Sequence, residues 1–310
     1  MALTIATLFQ ILVNVIAPVF IVIAIGFFIQ RFASLNIRSI SDVCIYAFTP
    51  CLVFTLIVES SVSGHEWLQI TFVTVATALV MFGVSWVSAK ALGLGKMLTS
   101  GLMVSTSLVN TGAYGLPVIL LAFGQKGLEL AVAFLIVSSL MMWTLGIFVA
   151  SNGASSLRES LTNVVRLPQI YALLAAIALR TNGLQVPQPM TESVRLLGNA
   201  SIPSMLIVLG MELSNSRFVK RGWVNWKLVS LSSTLKLLFP IIPVTLFSIL
   251  IGLGDLARKV TMVQACMPTA ITGLVLTLRF EGDSRFVSSV ILVATLGSVI
   301  TLTVLLSLLT

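Results

Sequence analysis

The chain has 310 residues, of which 57% are apolar and 9% carry a charge. A soluble domain of this length has about 25% charged residues, so the composition excludes a soluble enzyme and indicates an integral membrane protein. The net charge of +8 does not indicate nucleic acid as a partner, because the 18 basic residues are scattered along the chain and form no basic stripe or arm.

Ten apolar stretches predict membrane-spanning helices, which need about 20 mostly apolar residues. The sixth stretch is short and would need the preceding turn, Leu161–Arg166, to cross the membrane. Unbroken runs of this length exclude a barrel of short alternating strands, so we predict an all-α protein embedded in the lipid bilayer. We expect the first span to remain as a helix, because no basic side chain precedes it as in a signal peptide. The predicted spans are Leu8–Ile29, Ile40–Val58, Leu68–Val87, Met97–Phe123, Leu130–Ala150, Leu167–Leu179, Val194–Leu213, Leu228–Leu253, Val260–Phe280 and Phe286–Leu309.

The basic residues predict the orientation. With ten spans, 12 of the 18 Lys and Arg residues fall on one side of the membrane, five fall on the other, and Lys236 lies inside the eighth span. The side richer in positive charge is cytoplasmic by the positive-inside rule. We therefore expect a multi-pass protein of the inner (cytoplasmic) membrane with both termini outside.

The longest polar break, Ser151–Arg166, divides the ten spans into five and five. An odd number of spans in each half inverts the second half relative to the first, which is the pattern of an inverted repeat. We predict a first five-helix repeat over residues 1–150, a cytoplasmic linker over 151–166 and a second, inverted repeat over 167–310.

The second and seventh spans support this repeat. Pro50 and Pro203 lie at corresponding places, and each is followed nine residues later by a carboxylate, Glu59 or Glu212. We expect both prolines to kink their helices.

The fourth and ninth spans both place proline, glycine and polar side chains in mid-membrane. Breaks at corresponding places in two inverted halves indicate the binding site of a transporter. The alternative is a pair of proline kinks packed by small residues. The residues concerned are Asn110, Thr111, Gly112, Gly115 and Pro117 in span four, and Pro268, Thr269, Thr272 and Gly273 in span nine.

These motifs resemble those of the auxin efflux carrier family, which includes bacterial organic-acid permeases and the plant PIN auxin carriers. The resemblance covers essentially the whole chain and is most specific at Asn110-Thr111-x-x-x-Gly115-x-Pro117. Further matches are Met267-Pro268-Thr269-Ala270, Ile202-Pro203-Ser204 with Gly210, and Phe48-Thr49-Pro50. Val109 replaces the proline of PIN carriers, and the long cytoplasmic loop of plant members is absent, which favours a compact bacterial-type carrier.

The resemblance implies a fold similar to bile-acid symporters and sodium–proton antiporters. In it, broken helices four and nine cross at mid-membrane, here at Val109-Asn110 and Pro268-Thr269. Spans three to five and eight to ten would form the transport core, and spans one, two, six and seven a scaffold that often forms a homodimer. The substrate site would then use Asn110, Thr111, Pro268, Thr269 and Thr272, with breaks at Val109, Gly112, Gly115, Pro117 and Gly273.

No catalytic set is visible, so we expect no enzyme, no cofactor and no metal site. The only histidine, His65, lies in a loop beside Glu66, and the acids lie near span ends. Lys236 differs, because it lies about two turns into span eight with no acid within a helical turn. It is either a charge partner for the substrate or a lysine that reaches to the interface.

The leading interpretation is a secondary transporter that moves small organic anions, such as malonate, malate or indole acids, by alternating access. A sodium-coupled symporter of the bile-acid type is one alternative, and an anion channel is another. A channel would need a continuous polar pore, and no span carries a charged face that could form one.

Overall fold

A computed structural model describes residues 5–151, 153, 162, 164–184, 186–215 and 224–310. Within these residues the chain is helical, and no strand occurs apart from one isolated β-bridge. We number the helices in chain order. They are α1 Ile5–Ala33, α2 Ile37–Val58, α3 Gly64–Ala91, α4 Lys96–Ser107, α5 Thr111–Ala150, α6 Pro168–Thr181, α7 Gln188–Ser214, α8 Trp226–Leu250, α9 Asp255–Ala265, α10 Ile271–Arg279 and α11 Ser284–Leu309.

Seven of the described helices are long and apolar enough to cross a membrane: α1, α2, α3, α5, α7, α8 and α11. The chain is therefore a multi-pass membrane protein. The predicted fourth and ninth spans are each divided between two helices, α4 with the start of α5, and α9 with α10. Most of the predicted linker 151–166 lies outside the described residues.

Several of these helices have a polar N-cap residue in the connecting segment before them. The Ser63 side chain accepts a hydrogen bond from the backbone N–H of Glu66 at the start of α3 (3.1 Å). Asp283 accepts one from the N–H of Phe286 at the start of α11 (3.0 Å). Each side chain satisfies a backbone donor that the first helical turn leaves free.

Helix α5 changes direction at Gly124, which has φ 66° and ψ −161° inside an otherwise helical segment. Glycine reaches this left-handed region without the steric penalty that a Cβ would add. The residues before Gly124 thus continue the broken fourth span, and the residues after it contain the predicted fifth.

The two predicted proline kinks differ. Pro50 directly follows a wide π-helical turn at Cys44–Phe48, where the Thr49 hydroxyl donates to the Cys44 carbonyl (2.8 Å). Pro203 lies within the continuous helix α7. The missing N–H of a proline is thus accommodated at Pro50 by a wider turn.

Helices α1 and α7 pack with their backbones in close approach. A Cβ on Gly26 would lie 2.2 Å from the Ile207 carbonyl oxygen, and one on Gly210 would lie 1.9 Å from that of Ile23. Small residues allow this approach in membrane helices, where contact area supplies much of the attraction.

Candidate functional site: the crossing of two broken helices

The break between α4 and α5 meets the break between α9 and α10. Val109 and Thr269 form an antiparallel β-bridge. The Asn110 N–H donates to the Pro268 carbonyl (2.9 Å), and the Ala270 N–H donates to the Leu108 carbonyl (3.1 Å). Two backbone N–H groups and two carbonyls released by the breaks are therefore satisfied across the crossing, where a bilayer supplies no water to pair with them.

The hydroxyl of Thr269 is part of this crossing. Thr269 is fully buried, and its Oγ1 donates to the carbonyl of Ser105 in the last turn of α4. That carbonyl is one of the four that the end of a helix leaves without a partner. Because a hydroxyl has one proton, this arrangement leaves Thr269 only as an acceptor for any ligand.

Asn110 and Thr111 begin the second half of the broken span. The Asn110 side chain makes no hydrogen bond within the described residues and is 9% exposed, so its amide remains free at the crossing. The Thr111 hydroxyl lies 3.3 Å from that of Ser138, which donates to the Leu135 carbonyl (3.1 Å). Thr111 is thus held by the later part of α5.

The remaining predicted residues flank the two breaks. Pro117 lies in the first turn of the α-helical part of α5, after a π-helical turn that contains Gly112 and Gly115. Thr272, which is half-buried, lies in the first turn of α10. A Cβ on Gly273 would lie 3.0 Å from Val104, so this glycine allows α10 to pack closely on α4.

Gly115 packs against Gln264 of α9. A Cβ on Gly115 would lie 2.1 Å from the Gln264 side-chain oxygen. Gln264 is fully buried, and both polar atoms of its amide are without a hydrogen-bond partner among the described residues. The sequence interpretation did not include Gln264, although a glutamine four residues before the ninth-span proline was a visible signal.

Lys236 is fully buried in α8. It does not reach to the interface: its ammonium donates to the Ala265 carbonyl at the end of α9 (3.0 Å). No carboxylate pairs with it within the described residues. The only described hydrogen-bond partner of this positive charge is thus a backbone carbonyl.

A cavity of about 30 Å³ lies between Lys236 and the break of α4. Its walls include Val109, the hydroxyl residues Thr77 and Ser138, and Pro240 in the middle of α8. The Thr77 hydroxyl has no hydrogen-bond partner among the described residues. Such a volume holds about one or two water molecules.

The described residues hold no group of three or more His, Cys, Asp or Glu side chains that could bind a metal ion. The polar groups at the crossing are instead a free amide, hydroxyls and one ammonium. The Asn110 amide can both donate and accept hydrogen bonds, Thr269 is left as an acceptor, and the ammonium of Lys236 only donates.

Two broken helices, paired through their backbones and placed beside a buried charge, are the arrangement expected of a membrane transport protein. A family model described as membrane transport protein matches residues 11–163 and 154–306. The chain therefore belongs to this family, which confirms the resemblance to the auxin efflux carriers.

Two archaeal proteins are similar to the chain over nearly their whole length. An uncharacterized transporter of Methanothermobacter thermautotrophicus is 26% identical over 292 residues, covering 93% of this chain and 95% of the relative. An uncharacterized transporter of Methanocaldococcus jannaschii is 27% identical over 303 residues, with the same coverage. Neither name specifies a substrate.

Proposed function

We propose that the protein is a secondary transporter of small organic anions, which it moves across the cytoplasmic membrane by alternating access. The observation that carries the proposal is Lys236, a fully buried ammonium beside the crossing with no described carboxylate partner. A lysine at the centre of a membrane helix costs at least about 2.5–3.5 kcal/mol on insertion scales. An anionic substrate supplies the missing opposite charge.

The backbone at the crossing also favours an anion. Helices α5 and α10 both begin there, and the start of a helix presents free N–H groups and about half a positive charge. The free amide of Asn110 lies at the same place and can donate to a carboxylate oxygen. Thr269 and Gly115 then act by holding the two broken helices together.

The small volume of this cavity supports a carrier rather than a channel. A channel needs a continuous polar path, whereas the space beside Lys236 has a volume of only about 30 Å³. A carboxylate with two or more carbons needs more room than this, so binding requires the helices around the crossing to move. Alternating access supplies such a movement.

The organisation that we propose for this carrier is ten spans in two inverted repeats of five. Spans three to five and eight to ten form the transport core, and spans one, two, six and seven form a scaffold that dimerises. Both termini lie outside the cytoplasm, as the unequal distribution of Lys and Arg indicates.

The test is uptake of radiolabelled carboxylates by proteoliposomes that contain the purified protein. A panel of malonate, malate, acetate and an indole acid is offered with sodium present and with sodium replaced by choline. We expect saturable uptake of at least one acid, accelerated by unlabelled acid on the other side, in both buffers. Uptake only in sodium would support the symporter, and large unitary currents would support the channel.

A matched pair of variants assigns the site. Asn110→Ala removes the free amide at the crossing and should reduce uptake at least tenfold. Asn182→Ala removes an exposed amide, directly after α6, that donates to the Ala178 carbonyl of that helix (2.8 Å), and this variant should transport at the parental rate. Equal uptake by both variants would place the substrate elsewhere.

A further inference from the structure

We infer that Lys236 neutralises the charge of a bound monocarboxylate, so that the membrane potential acts on the return of the empty carrier and not on the loaded one. This inference rests on the proposed function and goes beyond it, because it assigns the voltage-dependent step and the favoured direction of transport.

The other charged residues around Lys236 lie away from mid-span. Helix α8 packs against α3, α4, α9 and α11. The charged residues of those four helices lie in their first five or last two residues, near the membrane surfaces. Those of α5, Lys126 and Glu129, follow its break at Gly124. Lys236 is thus the only charge of these helices placed at mid-span.

The net charge of the site differs between the empty and the loaded states. The empty site carries +1 from Lys236. With a monocarboxylate bound, the site carries 0, and with a dicarboxylate it carries −1. The partner of the ammonium in the empty site, the Ala265 carbonyl, is uncharged and leaves this count unchanged.

The membrane potential acts on a charge at this depth. In alternating access the potential falls across whichever side of the site is closed, so a charge at mid-span crosses much of the field whenever access changes sides. Moving one elementary charge across 100 mV changes an equilibrium by a factor of about 50. The potential therefore shifts the equilibrium between the inward-facing and outward-facing states of the empty carrier by about this factor. It does not shift that equilibrium for the carrier loaded with a monocarboxylate.

The favoured direction of transport follows from the positive charge of the empty site. The cytoplasm is negative, so the empty, positively charged site is drawn from the outward-facing to the inward-facing state. A monocarboxylate then binds from the cytoplasm and leaves in the neutral complex. The potential therefore favours net export of monocarboxylates without a coupling ion.

The first experiment uses the unaltered protein in proteoliposomes, with potentials set by potassium gradients and valinomycin. Exchange of a labelled monocarboxylate for the same unlabelled acid should proceed at the same rate at 0 and at −100 mV. Net efflux into acid-free buffer needs the empty return and should be faster at −100 mV. The increase is about sevenfold if half of the electrical free energy acts on the barrier.

The same preparation provides an internal control. Exchange of a dicarboxylate moves a complex of charge −1, so its rate should depend on the potential. A monocarboxylate and a dicarboxylate of similar size, such as butyrate and succinate, thus differ only in the predicted charge of the complex. This comparison needs no variant.

The variants then assign the effect to Lys236. Lys236→Arg keeps the positive charge and should keep exchange of monocarboxylates independent of potential. Lys236→Met removes it, so monocarboxylate exchange should become voltage-dependent and the affinity should fall. Lys126→Gln removes an exposed lysine and should behave as the parent.

The possible results separate the two proposals. If no carboxylate is exchanged under any condition, the proposed function fails. If monocarboxylates are exchanged but their exchange depends on potential as strongly as net efflux does, the inference is overturned and the proposed function stands. Release of one proton with each anion during net efflux would also overturn it, because the ammonium would then not remain charged in the empty carrier.

Discussion

The close approach of α1 and α7 predicts that Gly210→Ala is strongly destabilising. The added Cβ would lie 1.9 Å from the Ile23 carbonyl oxygen, whereas real Cβ contacts are essentially never under 3.0 Å. The obstacle is backbone, so a side-chain rotation cannot relieve it, and the two helices must separate by roughly 1 Å. A gap of that size removes a quarter to a half of each van der Waals contact that it affects.

The cost should therefore reach the upper end of the range for overpacked interiors, about 3 kcal/mol. The measurement is the thermal unfolding midpoint of the purified protein in detergent, with gel filtration to detect aggregation. Gly83→Ala is the matched control, because no atom lies within 4 Å of the position that its Cβ would occupy. That variant should be neutral or slightly stabilising, since alanine favours a helix over glycine by about 0.5–1 kcal/mol.

A second glycine in the same contact checks the explanation. Gly26→Ala places a Cβ 2.2 Å from the Ile207 carbonyl oxygen and should lower the unfolding midpoint in the same way. If Gly210→Ala and Gly83→Ala unfold at the same temperature, the two helices are not in backbone contact and the argument fails.

Three further predictions concern the crossing and the topology. Thr269→Val removes the proton donated to the Ser105 carbonyl and should lower the free energy of unfolding by about 1–3 kcal/mol. Thr269→Ser should keep the parental unfolding midpoint, and equal stability of the two variants would contradict the capping role. Gly115→Ala should lower the transport rate, because the added Cβ would lie 2.1 Å from the Gln264 side-chain oxygen. Combining it with Gln264→Ala should restore part of the transport rate, and no recovery would show that this contact is not the cause. In a variant without the three native cysteines, an impermeant thiol reagent added outside should label a cysteine introduced at position 65 but not one introduced at position 92. The reverse labelling would contradict the prediction that both termini lie outside.

The interruption of the fourth and ninth spans was predictable because its chemistry is local. Proline lacks an N–H and prevents regular helical bonding wherever it occurs, so Pro117 and Pro268 indicate interruptions without knowledge of the fold. The apolar lengths and the uneven distribution of Lys and Arg are likewise properties of the linear chain. They are sufficient for an all-helical membrane protein with a polar centre in its fourth and ninth spans.

The use of each side chain at that centre was not predictable in the same way. The sequence analysis places Thr269 among the substrate ligands. In the structure its hydroxyl instead donates to the carbonyl of Ser105, a residue 164 positions away in the sequence. Gln264 is absent from the prediction, because only the packing of α9 on α5 places its amide against Gly115. Hydrogen bonds between distant segments depend on packing that local patterns do not contain.

The sequence by itself determined the class of protein, its helical character and which two spans are interrupted, since hydropathy and proline chemistry act within a few residues. Only the tertiary structure decided that the two breaks pair with each other and that Lys236 is fully enclosed rather than extended to the interface. The reason is that burial of a long charged side chain depends on the helices around it. Here α3, α5, α8 and α9 close the space beside the ammonium and leave it with one carbonyl as its described hydrogen-bond partner.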